Sequence, residues 1–233
     1  MSKVAIITAR GGSKRIPRKN IKSFWGKPIL AYSIQTALAS GLFEDVIVST
    51  DDNEIASIAK EFGANVPFLR SEETAGDFSS TADVLLEVLR QLDEIGKTYN
   101  DACCIYPTAP FISTSILEKG YRLLKEGNYD SVFPVCAFSY PVMRSLKMEK
   151  AGKVFMQWPE NIDKRSQDLP PFYHDAGQFY WINVLAFLEK QKLFTDKSGA
   201  VILNELQVQD IDNEMDWKIA ELKYSLLTKV ANG

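Results

Sequence analysis

The chain has 233 residues, 45% hydrophobic and 24% charged, with a net charge of −3 at pH 7. That length accommodates one α/β domain with an insertion, and the acidic balance excludes a general nucleic-acid binder, which needs a basic face. No apolar run approaches the 18 residues of a membrane-spanning helix, and the three cysteines (Cys103, Cys104, Cys136) lack metal or disulfide spacing.

Met1-Ser2-Lys3 leads straight into a strand with no signal-peptide core, so a cytoplasmic location with reduced thiols is expected. Val4-Ala5-Ile6-Ile7 is too continuously apolar for a sheet edge. It runs into Ala9-Arg10-Gly11-Gly12-Ser13-Lys14-Arg15-Ile16-Pro17-Arg18-Lys19-Asn20, which carries five cations and two adjacent glycines. Backbone N–H groups freed by Gly11 and Gly12 can form a nest for phosphate oxygens, with the cations as countercharge. The spacing is neither the P-loop nor GxGxxG, so a triphosphate held by a different grip is expected and a dehydrogenase is excluded. A solvated turn or an RNA contact is the alternative for the loop alone. Lys14 and Lys19 suit point-charge contacts and Arg10 a bidentate one, whereas Arg15 and Arg18 are expected to be solvated.

Residues 29–40 have helical periodicity between Pro28 and Gly41. A short strand follows over 45–49, then a helix over 53–62, capped by Asp51 or Asp52 and closed by Gly63. A third strand is predicted at 66–69, a polar loop at 70–80 and an amphipathic helix at 81–95. A strand over 102–106 ends in Tyr106-Pro107-Thr108-Ala109-Pro110-Phe111. Its two prolines fix a backbone suited to base or sugar recognition, or to a plain rigid turn. A helix over 113–126 and a strand over 131–135 complete the regular part.

This alternation makes βαβ units. The expected fold is α/β: a Rossmann-like, mostly parallel sheet flanked by helices, of the nucleotide-diphospho-sugar transferase type. Ligands of such sheets lie outside the carboxyl ends of the strands, where loops 10–20, 50–53, 70–81 and 107–110 converge. Residues 138–171 break the rhythm and are rich in aromatics and prolines. They are predicted to be an insertion within a single domain of residues 1–233, packed against a partner subunit. Strand character returns at 178–183, 201–203 and 207–211, with helices at 184–190 and 216–227.

Two further segments can carry chemistry. Asp210 and Asp212 share one face of an extended segment, with Ile211 turned inward. Two such carboxylates suit Mg²⁺, which binds through one or two carboxylates plus substrate phosphates. The competing reading is that Asp212 caps the last helix, with Asn213 and Glu214 in its first turn. In His174-Asp175-Ala176-Gly177-Gln178, the single histidine adjoins an aspartate. Sequence neighbours in a strand face opposite ways, so a substrate contact is favoured over a general base.

Four blocks in this order carry a resemblance: the Ala9-to-Asn20 loop, Val48-Ser49-Thr50-Asp51, Tyr106-Pro107-Thr108-Ala109-Pro110 and Asp210-Ile211-Asp212. Together they resemble cytidylyltransferases that make CMP-activated nonulosonic acids, the CMP-sialic acid synthetase family, along essentially the whole chain. Tyr106 stands where the sialic acid enzymes have glutamine, and Ala109 replaces a serine. The run from Phe172 to Trp181 is similar to the branch that acts on pseudaminic acid. Legionaminic acid, N-acetylneuraminate and 3-deoxy-manno-octulosonate are the alternatives, and a non-catalytic nucleotide-binding protein is the alternative of another class.

The resemblance implies that CTP is joined to the anomeric hydroxyl of the sugar acid and pyrophosphate is released. It implies nucleotide and phosphate contacts from Ala9, Arg10, Gly11, Ser13, Lys14, Lys19 and Asn20. Arg70, Ser79 and Thr81 are implied around the cytidine, with Pro107 and Thr108 in the recognition turn. Tyr106, Arg165, His174, Gln178 and Tyr180 are implied on the sugar side. Asp210 and Asp212 are implied as Mg²⁺ ligands, and Lys14, Lys19, Arg10 and Asp212 as the catalytic set. The proton of the anomeric hydroxyl goes to a metal-bound hydroxide or to one of the aspartates. No covalent nucleophile is implied. The insertion is implied to swap across a homodimer and close the neighbour's sugar site.

Overall fold

The computed structural model describes residues 1–76 and 79–231. Asp77 and Phe78, in the predicted loop 70–80, lie outside the described residues.

Eleven strands and seven α-helices occur among the described residues. The strands are β1 (Lys3–Thr8), β2 (Ser23–Phe24), β3 (Lys27–Pro28), β4 (Asp45–Ser49), β5 (Asp101–Ile105), β6 (Ser131–Ala137), β7 (Leu146–Met148), β8 (Val154–Met156), β9 (Tyr173–Asp175), β10 (Phe179–Asn183) and β11 (Ser198–Leu203). The helices are α1 (Ile29–Ala39), α2 (Asn53–Glu61), α3 (Glu72–Ala75), α4 (Thr81–Glu94), α5 (Thr114–Glu126), α6 (Val184–Lys190) and α7 (Glu214–Ala231).

The central sheet has the order β11-β6-β10-β5-β1-β4, with β9 added to β6. β1 pairs in parallel with β4 and β5, and β11 with β6, while β10 runs antiparallel between β5 and β6. The sheet is therefore mixed and mostly parallel, as the βαβ rhythm predicts. Successive side chains of β1 enter opposite cores. Ala5 and Ile7 pack with α1, α2 and α5 on one face, and Val4 and Ile6 with α4 and α6 on the other. Both faces are covered, which is why these strands read as continuous apolar runs. Gly120 lets α5 lie flat on β10, because a Cβ there would stand 2.9 Å from Trp181. The cysteines are free and buried.

A third cluster matters most for function. Phe24, Tyr32, Phe111, Trp217 and Ala220 enclose Ile16 from the basic loop and Ile211 from between the two aspartates. Helix α7 thereby clamps the ends of two distant segments together.

The structure corrects three local expectations. Residues 66–69 form no strand; contact with β4 is confined to a bridge from Ile47 to Asn65, because Pro67 has no N–H to extend a ladder. Residues 207–211 are not a strand either. They leave a capped turn at Glu205–Gln207 and cross irregularly, burying Val208 and Ile211. Arg18 is ion-paired rather than solvated: its guanidinium binds Asp52 and Glu54.

The insertion is a short arm. A hairpin of β7 and β8 and two 3₁₀ turns return through β9 to the sheet. Tyr140 is 86% exposed and Met148 74%, an unusual display of large apolar groups.

Candidate active site

The carboxyl ends of β1, β4 and β5 open into a cleft of about 260 Å³. Its first wall is the basic loop. Beyond Thr8 the chain is locked to β4, where the buried Ala9 donates its N–H to Ser49 O at 2.9 Å. Gly11 then passes so close to the next turn that a Cβ would lie 2.9 Å from Asp52 Oδ2. Its N–H donates to Asp51 Oδ1 at 2.8 Å. Asp52 caps α2 by accepting from Glu54 and Ile55 N–H groups, and Arg18 holds its carboxyl down to about 2. At the far end the buried Asn20 donates to Arg10 O at 2.8 Å, closing the loop on itself. Arg10, Ser13, Lys19 and Asn20 line the cleft. Lys14 is exposed on the same loop but does not line it.

The opposite wall carries Arg70, Ser79, Thr81, Tyr106, Pro107 and Thr108. Arg70 is buried, and its guanidinium donates to Ser49 Oγ and O at 3.1 and 2.7 Å. Burial lowers its proton affinity, opposed by Asp51 and Glu87. Thr81 Oγ1 lies 2.9 Å from the phenol of Tyr106, and the Tyr106 ring leans on that of Tyr180 with centroids 5.5 Å apart. Both phenols are pushed up, chiefly by burial.

Lys19 joins the cleft to the aspartate segment by donating to Ile211 O at 2.6 Å. Burial lowers its proton affinity, while the charges of Asp212 and Asp210 work to raise it. Asp210 is pushed up by burial and by Asp212. Arg15 reaches Asp212 Oδ1 at 2.7 Å. Asn213 caps α7, accepting from Met215 and Asp216 N–H groups, and Asp216 accepts from the N–H groups of Asp212 and Asn213. The Asp212 carboxylate is therefore not used as the cap. Two oxygen-donor side chains beside a triphosphate-sized cleft suit a hard cation that completes its shell with phosphate oxygens.

The remaining predicted residues lie outside this cleft. His174 Nδ1 is 2.9 Å from Asp175 O, and its ring meets Phe138 edge-on. Gln178 is buried and donates to Gln207 O, while its Oε1 has no partner among the described residues. Tyr180 is buried behind Tyr106 and donates to Asp175 Oδ2. Arg165 is exposed on the arm and paired with Asp168. Sequence reasoning missed the carboxylates that hold the loop, Asp51 and Glu54, and the cleft residues Thr8, Thr74 and Ser80. The Thr50-Asp51-Asp52 run at a strand end was the available signal for the first of these.

Residues 4–224 match the model of the cytidylyltransferase family. The chain belongs to the cytidylyltransferase family. It is 38% identical over 226 residues to a pseudaminic acid cytidylyltransferase of Campylobacter jejuni, covering 97% of each chain. It is 30% identical to a CMP-N,N'-diacetyllegionaminic acid synthase of Legionella pneumophila, covering 94% of each. A solved CMP:2-keto-3-deoxy-manno-octonic acid synthetase, complexed with CTP, superposes with a TM-score of 0.68 at 15% identity. It covers 98% of this chain and 100% of its own, a likeness of fold. The mixed α/β sheet of this family member is thus shared with other nucleotidyltransferases.

Proposed function

We propose that the protein activates pseudaminic acid with CTP, giving the CMP-sugar and pyrophosphate. The observation that carries this reading is the cleft itself: a basic phosphate-sized loop faces Thr81 and Tyr106 across the strand ends, with two aspartates tied to the loop through Lys19. The relatives at 38% identity support pseudaminic acid over the other nonulosonic acids, as do Tyr106 and the 172–181 run.

Attack by the anomeric hydroxyl concentrates negative charge on the α-phosphate and on the departing pyrophosphate. Lys19 and Arg10 meet that charge from the cleft wall, and Lys14 from the exposed part of the loop. Backbone N–H groups of the loop, with Ser13 and Asn20, orient the phosphates. Arg70, Ser79 and Thr81 hold the cytidine, with Pro107 and Thr108 shaping the turn beside it. Tyr106, Tyr180, His174 and Gln178 form or support the sugar side. Asp210 and Asp212 would hold Mg²⁺, which supplies Lewis-acid stabilisation to phosphate oxygens when bound. The whole chain acts as one domain in the cytoplasm. The exposed apolar arm of residues 138–171 supports a homodimer in which it and Arg165 reach the neighbouring sugar site. Among the described residues no helix is long and apolar enough to cross a membrane.

Pyrophosphate release from CTP and Mg²⁺, with pseudaminic acid and N-acetylneuraminate offered separately, tests this. Release with pseudaminic acid alone is expected. Release with N-acetylneuraminate alone overturns the sugar assignment, and silence with both, in a folded protein that still binds CTP, replaces it with another sugar acid or with the non-catalytic reading.

A further inference from the structure

Arg70 is a buried cation on the cleft wall with most of its donors unspent. It is 8% exposed and lines the cleft. A guanidinium carries five N–H donors in one plane. The Nε donor goes to Ser49 Oγ at 3.1 Å, and one Nη2 donor goes to Ser49 O at 2.7 Å. These two point the same way, along the side edge of the fork. The end of the fork, one donor each from Nη1 and Nη2, has no partner among the described residues. Asp51 and Glu87 support the charge only from a distance. A guanidinium this deep is costly without acceptors for its donors, and the cleft is where a ligand can bring them.

Ser49 is itself fixed. It ends β4, is 1% exposed, and its carbonyl also accepts the Ala9 N–H at 2.9 Å. The backbone N–H of Arg70 donates to the next carbonyl, Thr50 O, at 2.8 Å. The backbone and the side chain of Arg70 are therefore both held to the end of one strand.

We propose that Ser49 is a positioning residue whose hydroxyl takes the side edge of Arg70, so that the end of the fork presents two parallel donors to a pair of acceptors on the base. This rests on the nucleotide reading proposed above, in which Arg70 lies beside the cytidine. Cytosine carries such a pair, because O2 and N3 are adjacent and both have lone pairs. In uracil N3 bears a hydrogen, and one donor of the fork meets another donor. Discrimination between the two bases thus lies in the angle of the fork, and Ser49 sets that angle. Phosphates and carboxylates also offer paired acceptors, and the titrations below separate these sources.

CTP, UTP and inorganic tripolyphosphate, which has no base, are titrated by calorimetry without sugar. The wild type should prefer CTP to UTP. Ser49→Ala removes the Nε acceptor and leaves the charge of Arg70 and its backbone bond. It should lower the CTP-to-UTP affinity ratio roughly tenfold, the effect of one buried hydrogen-bond partner, and leave tripolyphosphate binding unchanged. Ser49→Thr keeps the hydroxyl and should restore most of the ratio. Arg70→Lys keeps the charge and loses the fork, so it should lower the ratio in the same way. Adding Ser49→Ala to Arg70→Lys should change the ratio no further, because Ser49 acts through that fork. Should Ser49→Ala fail to fold, Ser49→Cys, a weak acceptor of similar shape, should shift the ratio in the same direction.

An unchanged ratio in Ser49→Ala overturns the proposal, as does a wild type without preference for CTP. So does an equal loss of CTP, UTP and tripolyphosphate, which puts the fork on phosphate or leaves Ser49 a purely structural residue. A held ratio with a raised KM for the sugar acid puts the fork on the sugar carboxylate, and the base assignment falls. A wild type that prefers CTP but is inactive on pseudaminic acid sinks the sugar assignment and leaves each of these titrations readable.

Discussion

Lys19 and Ile211 are joined by a 2.6 Å hydrogen bond from ammonium to backbone carbonyl, although 192 residues separate them in the chain. The bond makes one unit of the basic loop and the aspartate segment. The same ammonium stands where the developing phosphate charge is expected. Lys19→Met should therefore lower kcat/KM by roughly 10² to 10³, the usual loss when one preorganised charge partner is removed. Lys19→Arg should recover only part of this, because a planar fork does not replace a compact point charge in a half-buried seat. Initial rates of pyrophosphate release at varied CTP check both.

Asp212 carries no capping duty, and a cation bound there would displace the Arg15 guanidinium from its Oδ1. Asp212→Asn is expected to raise the Mg²⁺ concentration for half-maximal activity by roughly tenfold, with little change in melting temperature. Excess chelator should abolish wild-type turnover, and added Mg²⁺ should restore it. An unaltered Mg²⁺ titration in the Asn variant would rule out the ligand role.

Ile211 is 1% exposed in the cluster beneath α7. Truncation to alanine should cost about 3 kcal/mol of stability, a typical loss for a buried aliphatic side chain. Urea unfolding measures that. The residual folded enzyme should also lose activity, because the flanking aspartates and the Lys19 acceptor move with Ile211.

Asp52 ties acid stability to the basic loop. The Arg18 guanidinium, helped by the α2 N–H groups, holds its carboxyl to about 2, below the ordinary value near 3.9. A depressed folded value contributes stability that is full above about pH 4 and is lost as pH falls through about 2. The contribution is on the order of 2 kcal/mol. Arg18→Ala should melt lower than wild type at pH 7, and the two curves should converge toward pH 2.

The arm displays Tyr140, Leu146 and Met148 to solvent within one protomer. Leu146→Glu together with Met148→Glu should shift the species from dimer to monomer in analytical ultracentrifugation while leaving the far-UV spectrum unchanged. A wild type that is monomeric at every concentration would remove the dimer from the proposed function.

The parallel sheet was legible because strands buried on both faces carry uninterrupted Val, Ala and Ile. The basic loop was legible because five cations on an acidic chain need a reason to cluster. Pro67 hid inside an apolar run and turned a predicted strand into irregular chain. The competing reading placed the cap of α7 one residue early, because Asp212 and its neighbour Asn213 both carry a side-chain oxygen that can accept from helix N–H groups.

The antiparallel β10 has a consequence for how the chain comes together. It is made late, yet it fills the gap between β5 and β6 near the middle of the sheet. The ribosome delivers β1, β4 and β5 as a local unit that can pair at once, while β6 must wait with both edges open. Chains cut before residue 179 leave that gap unfilled, with Phe179 and Trp181 missing from the core. Such fragments should be captured by chaperones or degraded, and loss of the last quarter of the protein should be as damaging as loss of the first.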